Sequence, residues 1–478
     1  MVCSRRHKTG EFMAQVYPFR AFRYNPSRAP FERVLTQPYD KISPAMQEKY
    51  YAADPHNLIT VEKGRTYPSD TPQNNVYTRA AAAIEDWIRA QVVVQDPVPA
   101  FYSYTQEYTV PGTEAAQGEG RRMRRGFIGA GKLEKYSAGV VFRHEHTLSG
   151  PKADRLELLR HTKMHTGQLF MLYADPQKRI DAILAEAEAA AAPATEMHDE
   201  YGVTHRLWVI ADPQRVAAIQ KTMADQKLVI ADGHHRYETA LNYRNERRTR
   251  AGLPAELCAS RVHAEKIDSE APYERVMMTF VNTKSEGLMI LPGHRVAANV
   301  LDFSWSGVRR HLEPWFAAEE FPFSGSGERA EAKKKFLAKL TSARAKRAIG
   351  VYPAPGTRKR AFYVLTLREG VNLAQLLPNV SPLERELDVV LLHEGILEPA
   401  LGITPQSVTA QANLTYEREA EAALEAVDSG RAQIAFLLNA CDVNQVMKIA
   451  TAGEVMPQKS TDFYPKLLSG ITMYRVAG

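Results

Sequence analysis

Apolar residues recur along this chain with two periods, and their alternation predicts a mixed α/β protein. Val16 to Arg23 is a short structured run near the start. Ser43-Pro44 opens a helix, with Ser as N-cap and Pro in the first turn, that runs to about Ala52 and stops before Asp54-Pro55. Leu58-Ile59-Thr60-Val61 reads as a strand, and Tyr77 to Ala90 as a helix with Ile84, Trp87 and Ile88 on its apolar stripe. Phe101–Val110 and Gly126–Tyr136 are predicted strands, joined as a hairpin by the turn Gly112 to Gly120. Helices follow over Ala153–Lys163 and Pro176–Ala192, the second Ala-rich and ending before Pro193.

The most regular stretch comes next. Leu207–Ala211 is a strand, Asp212-Pro213 caps a helix through about Met223, Leu228–Ala231 is a strand, and Arg236–Arg248 is a helix. Such alternation marks an α/β layer. From Val300 to Gly370 the pattern changes to a basic helix and two strands, Ala348–Tyr352 and Arg360–Leu367. The last hundred residues hold an apolar helix from Val389 to Leu397, a helix at Glu417–Ser429, the strand Gln433–Leu438 and a loop from Met456 to Thr461. The expected organisation is a disordered extension over 1–15, an α/β core over 16–298, a subdomain or insertion over 299–375, and a C-terminal region, 376–478, that returns to the core.

Composition narrows the class. A chain of 478 residues with 44% hydrophobic and 24% charged residues is ordinary for a globular protein and long enough for a large core without covalent staples. Cys3, Cys258 and Cys441 are far apart and form no CxxC pair, which argues against a disulfide framework and fits a reducing compartment. No apolar run approaches the ~18 residues of a membrane span, and the basic N-terminus lacks the apolar region of a signal peptide. The expectation is a cytoplasmic protein. The net charge of +6 is a small excess. Two clusters, Arg121-Arg122-Met123-Arg124-Arg125 and Lys333 to Arg347, have the charge of a nucleic-acid contact, but no zinc-finger, basic-zipper or RNP signature accompanies them. A solvated strand edge and helix face account for both.

Chemistry concentrates at Asp232-Gly233-His234-His235-Arg236, which follows an apolar strand and opens a helix. A helix start offers unpaired N–H groups and partial positive charge, both favourable to phosphate or carboxylate. Gly233 permits a sharp turn and close approach of a ligand. His234 and His235 supply donors or a proton carrier, Arg236 grips an anion with two bonds, and Asp232 accepts a proton, binds a metal or caps the helix. A second cluster, Arg143-His144-Glu145-His146-Thr147, precedes Lys152, Asp154 and Arg155 and combines a base, imidazoles and anion contacts. It lacks the HExxH spacing of a zinc site. His161 and His165 have metal-ligand spacing on a predicted helix, although an exposed pair is the simpler reading. Gly126 to Lys132 nearly matches a P-loop but has Leu133 where Ser or Thr is needed, and its glycines fall inside a strand. Tyr39, Asp40, Asn57 and the run Lys459-Ser460-Thr461 sit in polar turns, for which ordinary turn chemistry is the default.

Seven of these segments, in this order, resemble the prokaryotic family catalogued as domain of unknown function 1015: Phe19–Arg23, Pro38–Asp40, Asn57–Ile59, Arg143–Thr147, Lys152–Arg155, Asp232–Ala240 and Met456–Thr461. The sequence departs from that family's pattern at Gln37, Lys41 and Thr166-Gly167-Gln168. The Asp232–Arg236 segment is also similar to the strand–turn–helix motif of the ParB/sulfiredoxin fold, whose members include free-serine kinases. That resemblance implies a ParB/sulfiredoxin-like nucleotide-binding core with an additional α/β C-terminal region, ATP or ADP with Mg²⁺ as cofactor, and phosphoryl transfer to a small hydroxy amino acid. In this reading Asp232, His234, His235, Arg236 and Glu145 are catalytic, with Glu145 first and Asp40 second as general base. Gly233, Arg143, His144, His146, Lys152, Asp154, Arg155, Tyr39, Asp40, Asn57, Lys459, Ser460 and Thr461 contact phosphate or substrate. A nucleotide-dependent regulatory or DNA-associated module and a phosphoester hydrolase are the alternatives.

Overall fold

Two long strands, β2 (Phe101–Thr109) and β3 (Arg121–Lys132), pair antiparallel in the register Tyr102↔Ile128 to Thr109↔Arg121 and form the centre of the larger of two units. The structure, a computed structural model, describes residues 14–111, 120–145, 150–255, 271–355, 360–410 and 412–477. The predicted N-terminal extension up to residue 13, hairpin residues 112–119, His146, Thr147, Cys3 and Cys258 lie outside the described residues. The first unit holds residues of 1–143, 147–288 and 465–478; the second holds residues of 144–146 and 289–464.

In the first unit, nine strands form one sheet. Besides β2 and β3 these are β1 (Val16–Tyr17), β4 (Val141–Phe142), β5 (Leu169–Tyr173), β6 (Thr195–His198), β7 (Thr204–Ile210), β8 (Leu228–Asp232) and β9 (Arg275–Asn282). The spatial order is β4-β8-β5-β9-β3-β2-β7-β6, with β1 added to β3. Among the described residues of this sheet, only the β4–β8 and β5–β9 pairs are parallel. The strand–helix alternation over 207–248 predicts an α/β layer, yet β7 and β8 have four strands between them. The cause is antiparallel pairing of β7 with β2 over seven residues, which draws β7 away from β8. Strands β5 and β9 were not predicted. Both are buried along their length, so they carry no alternation to reveal them.

The helices α1 (Pro44–Ala53), α2 (Val76–Arg89), α3 (Gly150–Thr162), α4 (Arg179–Ala190), α5 (Pro213–Met223) and α6 (His234–Arg250) follow the predicted positions closely. Ser43 caps α1 by accepting from the Met46 N–H, and Asp212 caps α5 through Arg215. The strand expected at Leu58–Val61 is instead a helical turn, Ile59–Glu62. The buried Asn57 side chain accepts from the Ile59 N–H at 2.9 Å and donates to the Arg33 carbonyl at 2.6 Å. These local bonds start a turn that overrides the β-branched composition.

The glycines that mimic a P-loop are a packing feature. A Cβ on Gly126 would stand 2.5 Å from the Phe280 carbonyl oxygen of the neighbouring strand, and one on Gly131 would stand 2.3 Å from Met278 Sδ. Beside them Phe127 stacks on Phe280 with ring centroids 4.9 Å apart and meets Phe101 edge-on at 5.4 Å.

The second unit is built on a six-stranded antiparallel sheet comprising β10 (His294–Ala297), β11 (Phe316–Phe323), β12 (Ile349–Pro353), β13 (Arg360–Leu367), β14 (Leu414–Glu417) and β15 (Ile434–Leu437). Its order is β11-β13-β12-β15-β10-β14. Helices α7 (Trp305–Leu312), α8 (Ser326–Ser342), α9 (Ala420–Asp428) and α10 (Val443–Thr451) accompany it. One face packs Phe362, Val364, Tyr352 and Leu437 against Phe336 and Leu340 of α8 and Leu424 and Val427 of α9.

In both basic segments several cations meet carboxylates, while Arg124 and Arg344 donate to backbone carbonyls. Arg121 pairs with Glu107, Arg125 with Glu188, Lys333 with Glu421, Lys335 with Glu331, Lys339 with Glu319 and Arg347 with Asp388. Among the described residues no helix is long and apolar enough to cross a membrane.

Gly126→Ala is expected to destabilise the protein by ~1–3 kcal/mol, because the added methyl must push against backbone. A lowered urea midpoint is the expected readout. An unchanged midpoint would show that the strands separate at no cost.

Candidate functional site

Strand β8 carries Leu228-Val229-Ile230-Ala231 into the core and ends at Asp232, where its register against β5 shifts. Gly233 follows with φ of +95°, a conformation that L side chains rarely adopt. A Cβ there would lie 2.8 Å from Leu169 Cδ2. Helix α6 begins directly afterwards, and its first backbone bond runs from the Tyr237 N–H to the Gly233 carbonyl at 3.0 Å. The amides of His234, His235 and Arg236 therefore precede the intrahelical ladder. The N-cap residue is Gly233, which has no side chain to cap the helix. Asp232 points elsewhere: its Oδ2 accepts from Lys466 Nζ at 3.2 Å.

Burial works against ionising Asp232, but the nearby Lys466, Arg236 and Lys41 cations more than offset it and hold the carboxyl far below the usual carboxylate range. These cations come from three separate segments. Arg236 lies one turn into α6 and donates to the Gln168 carbonyl. Lys41 closes the short 3-10 turn Tyr39–Lys41. His234 is buried and His235 half-buried.

Lys466 is held by the backbone around it. Arg124, fully buried, donates to Gln106 Oε1 at 3.1 Å and to the Pro465 carbonyl, and its guanidinium lies 4.6 Å over the Phe170 ring. Burial lowers its pKa to about 10. Gln106 Nε2 donates to the Lys466 carbonyl at 2.7 Å, and Gln168 Nε2 to the Leu468 carbonyl at 3.1 Å. Thr279 donates to Gln168 Oε1 and fixes that amide. Next to Gln106, the buried His205 ring meets the Tyr104 hydroxyl at 2.7 Å and Asp199 Oδ2 at 3.2 Å. Leaving such groups unpaired in the interior would cost about 1–3 kcal/mol each, so the network specifies one path for residues 465–468.

A second polar cluster in the same unit surrounds Arg155. Its guanidinium donates to Asp154 Oδ2 at 2.6 and 2.9 Å and to the Glu62 carbonyl at 2.8 Å, and it lies 4.4 Å over the Tyr39 ring. Tyr77 donates to Asp154 at 2.9 Å, and Thr166 to Glu62 Oε1 at 2.9 Å. Gly167 joins the clusters: a Cβ there would meet Arg236 Nη1 at 3.1 Å and Glu62 Oε1 at 3.2 Å. Burial raises the Tyr39 phenol above its ordinary pKa, against the pull of Arg236. Lys152 is ion-paired with Glu238, Asp40 is exposed, and Arg143 stands 5.4 Å over the Tyr136 ring.

The remaining candidates belong to the second unit. His144 is buried, with Nε2 2.8 Å from the Thr461 hydroxyl. Glu145 Oε1 accepts from the Lys459 N–H at 2.8 Å, and Ser460 donates to the Pro457 carbonyl. The buried Arg295 donates to the Lys459 carbonyl at 3.2 Å and to His393 Nε2 at 3.2 Å. His294 accepts from the Leu438 N–H at 3.2 Å, and burial, reinforced by Arg295, lowers its pKa to about 4. His161 and His165 do not share a helix, because α3 ends at Thr162. His161 stacks on Tyr77 and His165 on Tyr474.

Sequence reasoning did not single out Glu62, Arg124, Gln106 or Lys466 as site residues. Glu62 sat at the end of a supposed strand, Arg124 in a supposed solvated cluster, and Lys466 in a run without periodicity. A signal did exist at Lys41 and Thr166-Gly167-Gln168, which departed from the family pattern and border Asp232 and Arg236.

The chain belongs to the family described as protein of unknown function (DUF1015), whose model matches residues 16–390. No curated protein matches it. Among solved structures it is similar to a conserved hypothetical protein from Pyrococcus furiosus, with 13% identity, coverage of 68% of this chain and 87% of that one, and a TM-score of 0.29. A free serine kinase in complex with AMP gives 12% identity, coverage of 68% and 83%, and a TM-score of 0.31. SbnI with a C-terminal truncation, from Staphylococcus aureus, gives 10%, coverage of 72% and 85%, and 0.30. At these TM-scores the likenesses decide neither the fold nor the activity of this chain.

Two outcomes follow from the electrostatics. Lys466→Met should raise the Asp232 pKa toward its ordinary value, read as the carboxyl ¹³C titration of Asp232. A titration identical to wild type would mean that the lysine does not set the charge. His294 has a folded pKa below its ordinary 6.5, so its contribution to stability is complete above about pH 6.5 and falls as the pH drops toward 4. At pH 5 the loss is about 2 kcal/mol. His294→Gln should flatten the dependence of unfolding free energy on pH between 7 and 5, and an unaltered slope would contradict the assignment.

Proposed function

We propose that the first unit is a small-molecule kinase that moves a phosphoryl group from ATP or ADP to the hydroxyl of a hydroxy amino acid such as free serine. The observation that carries this reading is the Asp232 carboxylate, set on the Gly233 turn at the start of α6 and surrounded by Lys466, Arg236 and Lys41. Phosphoryl transfer asks little covalent chemistry of a protein; it asks for positioning and for neutralisation of charge on the transferred group.

The amides of residues 234–236, aided by the helix dipole, receive phosphate oxygens. Arg236 and Lys466 neutralise charge as it develops on the transferred group, with His235 as a further donor. Asp232 orients Lys466. Among the described residues no group of three His, Cys, Asp or Glu side chains could hold a metal by itself. Asp232 is the carboxylate that would help hold a Mg²⁺ ion brought by a nucleotide, since such an ion would need only one or two protein carboxylates. When bound, the ion neutralises charge on the phosphates.

Glu62 takes the role of proton acceptor in this reading. It is buried, its Oε1 accepts from Thr166, its Oε2 pairs with Arg155 at 3.5 Å, and it lies across Gly167 from Arg236. Asp40, in the same unit, is exposed, and Glu145 in the second unit already accepts from the Lys459 amide.

Purified protein incubated with ATP or ADP and serine should yield phosphoserine, detected by mass spectrometry. Asp232→Asn should lower kcat about 100-fold or more with an unchanged circular dichroism spectrum, and Glu62→Gln should lower kcat more than it raises KM. Failure to phosphorylate any hydroxy amino acid with either nucleotide would overturn the proposal, as would release of phosphate from phosphoserine without nucleotide, which is the behaviour of a hydrolase.

A further inference from the structure

The sheet of the second unit has two faces, and only one of them packs on α8 and α9. Side chains alternate across a strand, so Ala361, Tyr363 and Leu365 of β13 point away from the face that carries Phe362 and Val364 into the core. Helix α7 lies beside this second face and buries Val308 and Leu312. It leaves a groove of about 680 Å³ between itself and the strands. That volume is the size of a small-molecule site, which typically runs from roughly 300 to 1,000 Å³.

The lining has two properties. The first is aromatic: the half-buried Trp305 leans on Tyr363 with ring centroids 4.9 Å apart and offers its indole to the groove. The second is charge. Among the described lining residues, Arg309, Arg310, Arg360 and Arg368 stand against the single carboxylate of Glu313. Arg309 reaches Glu320 only at 3.7 Å, and Arg360 reaches Asp428 at 3.3 Å. Arg368 Nε donates to the Glu313 carbonyl rather than to a carboxylate. Arg329, Lys333, Lys339 and Arg347 of this unit each meet a carboxylate at ion-pair distance, whereas among the described residues Arg310 and Arg368 have no carboxylate within that distance.

From this combination we infer that the groove binds a small planar anion, a ring system bearing phosphate or carboxylate. Guanidinium forks fit both oxyanions with paired hydrogen bonds. Indole and guanidinium faces stack on planar rings. A bare oxyanion would leave the aromatic wall unused, and an uncharged ring would leave Arg310 and Arg368 uncompensated. The inference is independent of any chemistry in the first unit.

The test uses the full-length protein and the indole N–H resonance of Trp305, assigned by its loss in Trp305→Phe. AMP and 2-naphthoate are titrated as the phosphate and carboxylate arms. Adenosine supplies a ring without charge, and ribose 5-phosphate supplies charge without a ring. The proposal expects at least one of AMP and 2-naphthoate to shift the resonance saturably and to bind at least ~10-fold more tightly than adenosine and ribose 5-phosphate. Arg310→Ala/Arg368→Ala should weaken that binding by ~10-fold or more without altering the thermal midpoint, and Asp232→Asn should leave it unchanged. Equal binding of ribose 5-phosphate, indifference to the arginine substitutions, or no saturable shift with either planar anion would overturn the proposal.

Discussion

The first unit depends on a charge brought in from the far end of the chain. Lys466 reaches Asp232 only because residues 465–468 run along the sheet, and they run there because Arg124, Gln106 and Gln168 place buried donors opposite their carbonyls. The arrangement is demanding. A guanidinium without water must keep its bonds, and each carbonyl it serves would be costly to leave unpaired in the interior. Removing one member therefore loosens the path of the segment as well as a single contact, and the lysine moves with it. The same segment that completes the fold also supplies a cation to the candidate site.

The glycine turn uses this constraint. Asp232 is drawn to Lys466, and the N-cap position of α6 falls on Gly233, which has no side chain. The first amides of α6 and Arg236 then share one locality with Lys466 and Lys41. The Glu62–Arg155–Asp154 cluster borders it through Gly167, whose missing Cβ lets Glu62 and Arg236 draw close. Small residues at 167 and 233 thus have a physical reason in addition to turn formation: each occupies a place where a side chain would press on the Arg236 guanidinium.

Much of this was legible beforehand. The apolar run into Asp232 and the polar opening of the next helix located the turn, and local capping signals located α1 and α5. The resemblance to the DUF1015 family ordered the motifs along the chain. What stayed hidden was long-range. Nothing in the local pattern could tell that Lys466 lies beside Asp232, or that Arg124, alone among its arginine neighbours, turns inward. Strands β5 and β9 are buried along their length and offered no period-two signal, so the mixed order of the sheet could not be read. At Leu58–Val61 composition favoured a strand, and one buried Asn57 side chain decided for a helical turn. The Gly126–Lys132 run shows the reverse: its glycines are explained by close strand packing and need no phosphate.

The central claim is that the turn after β8 receives a phosphate. The backbone amide resonances of His234, His235 and Arg236, followed while ADP is titrated into the isotope-labelled protein, test it most directly. The account predicts saturable shifts at these amides, lost in Arg236→Ala. Saturation of the protein with ADP while these three resonances stay unmoved would contradict it.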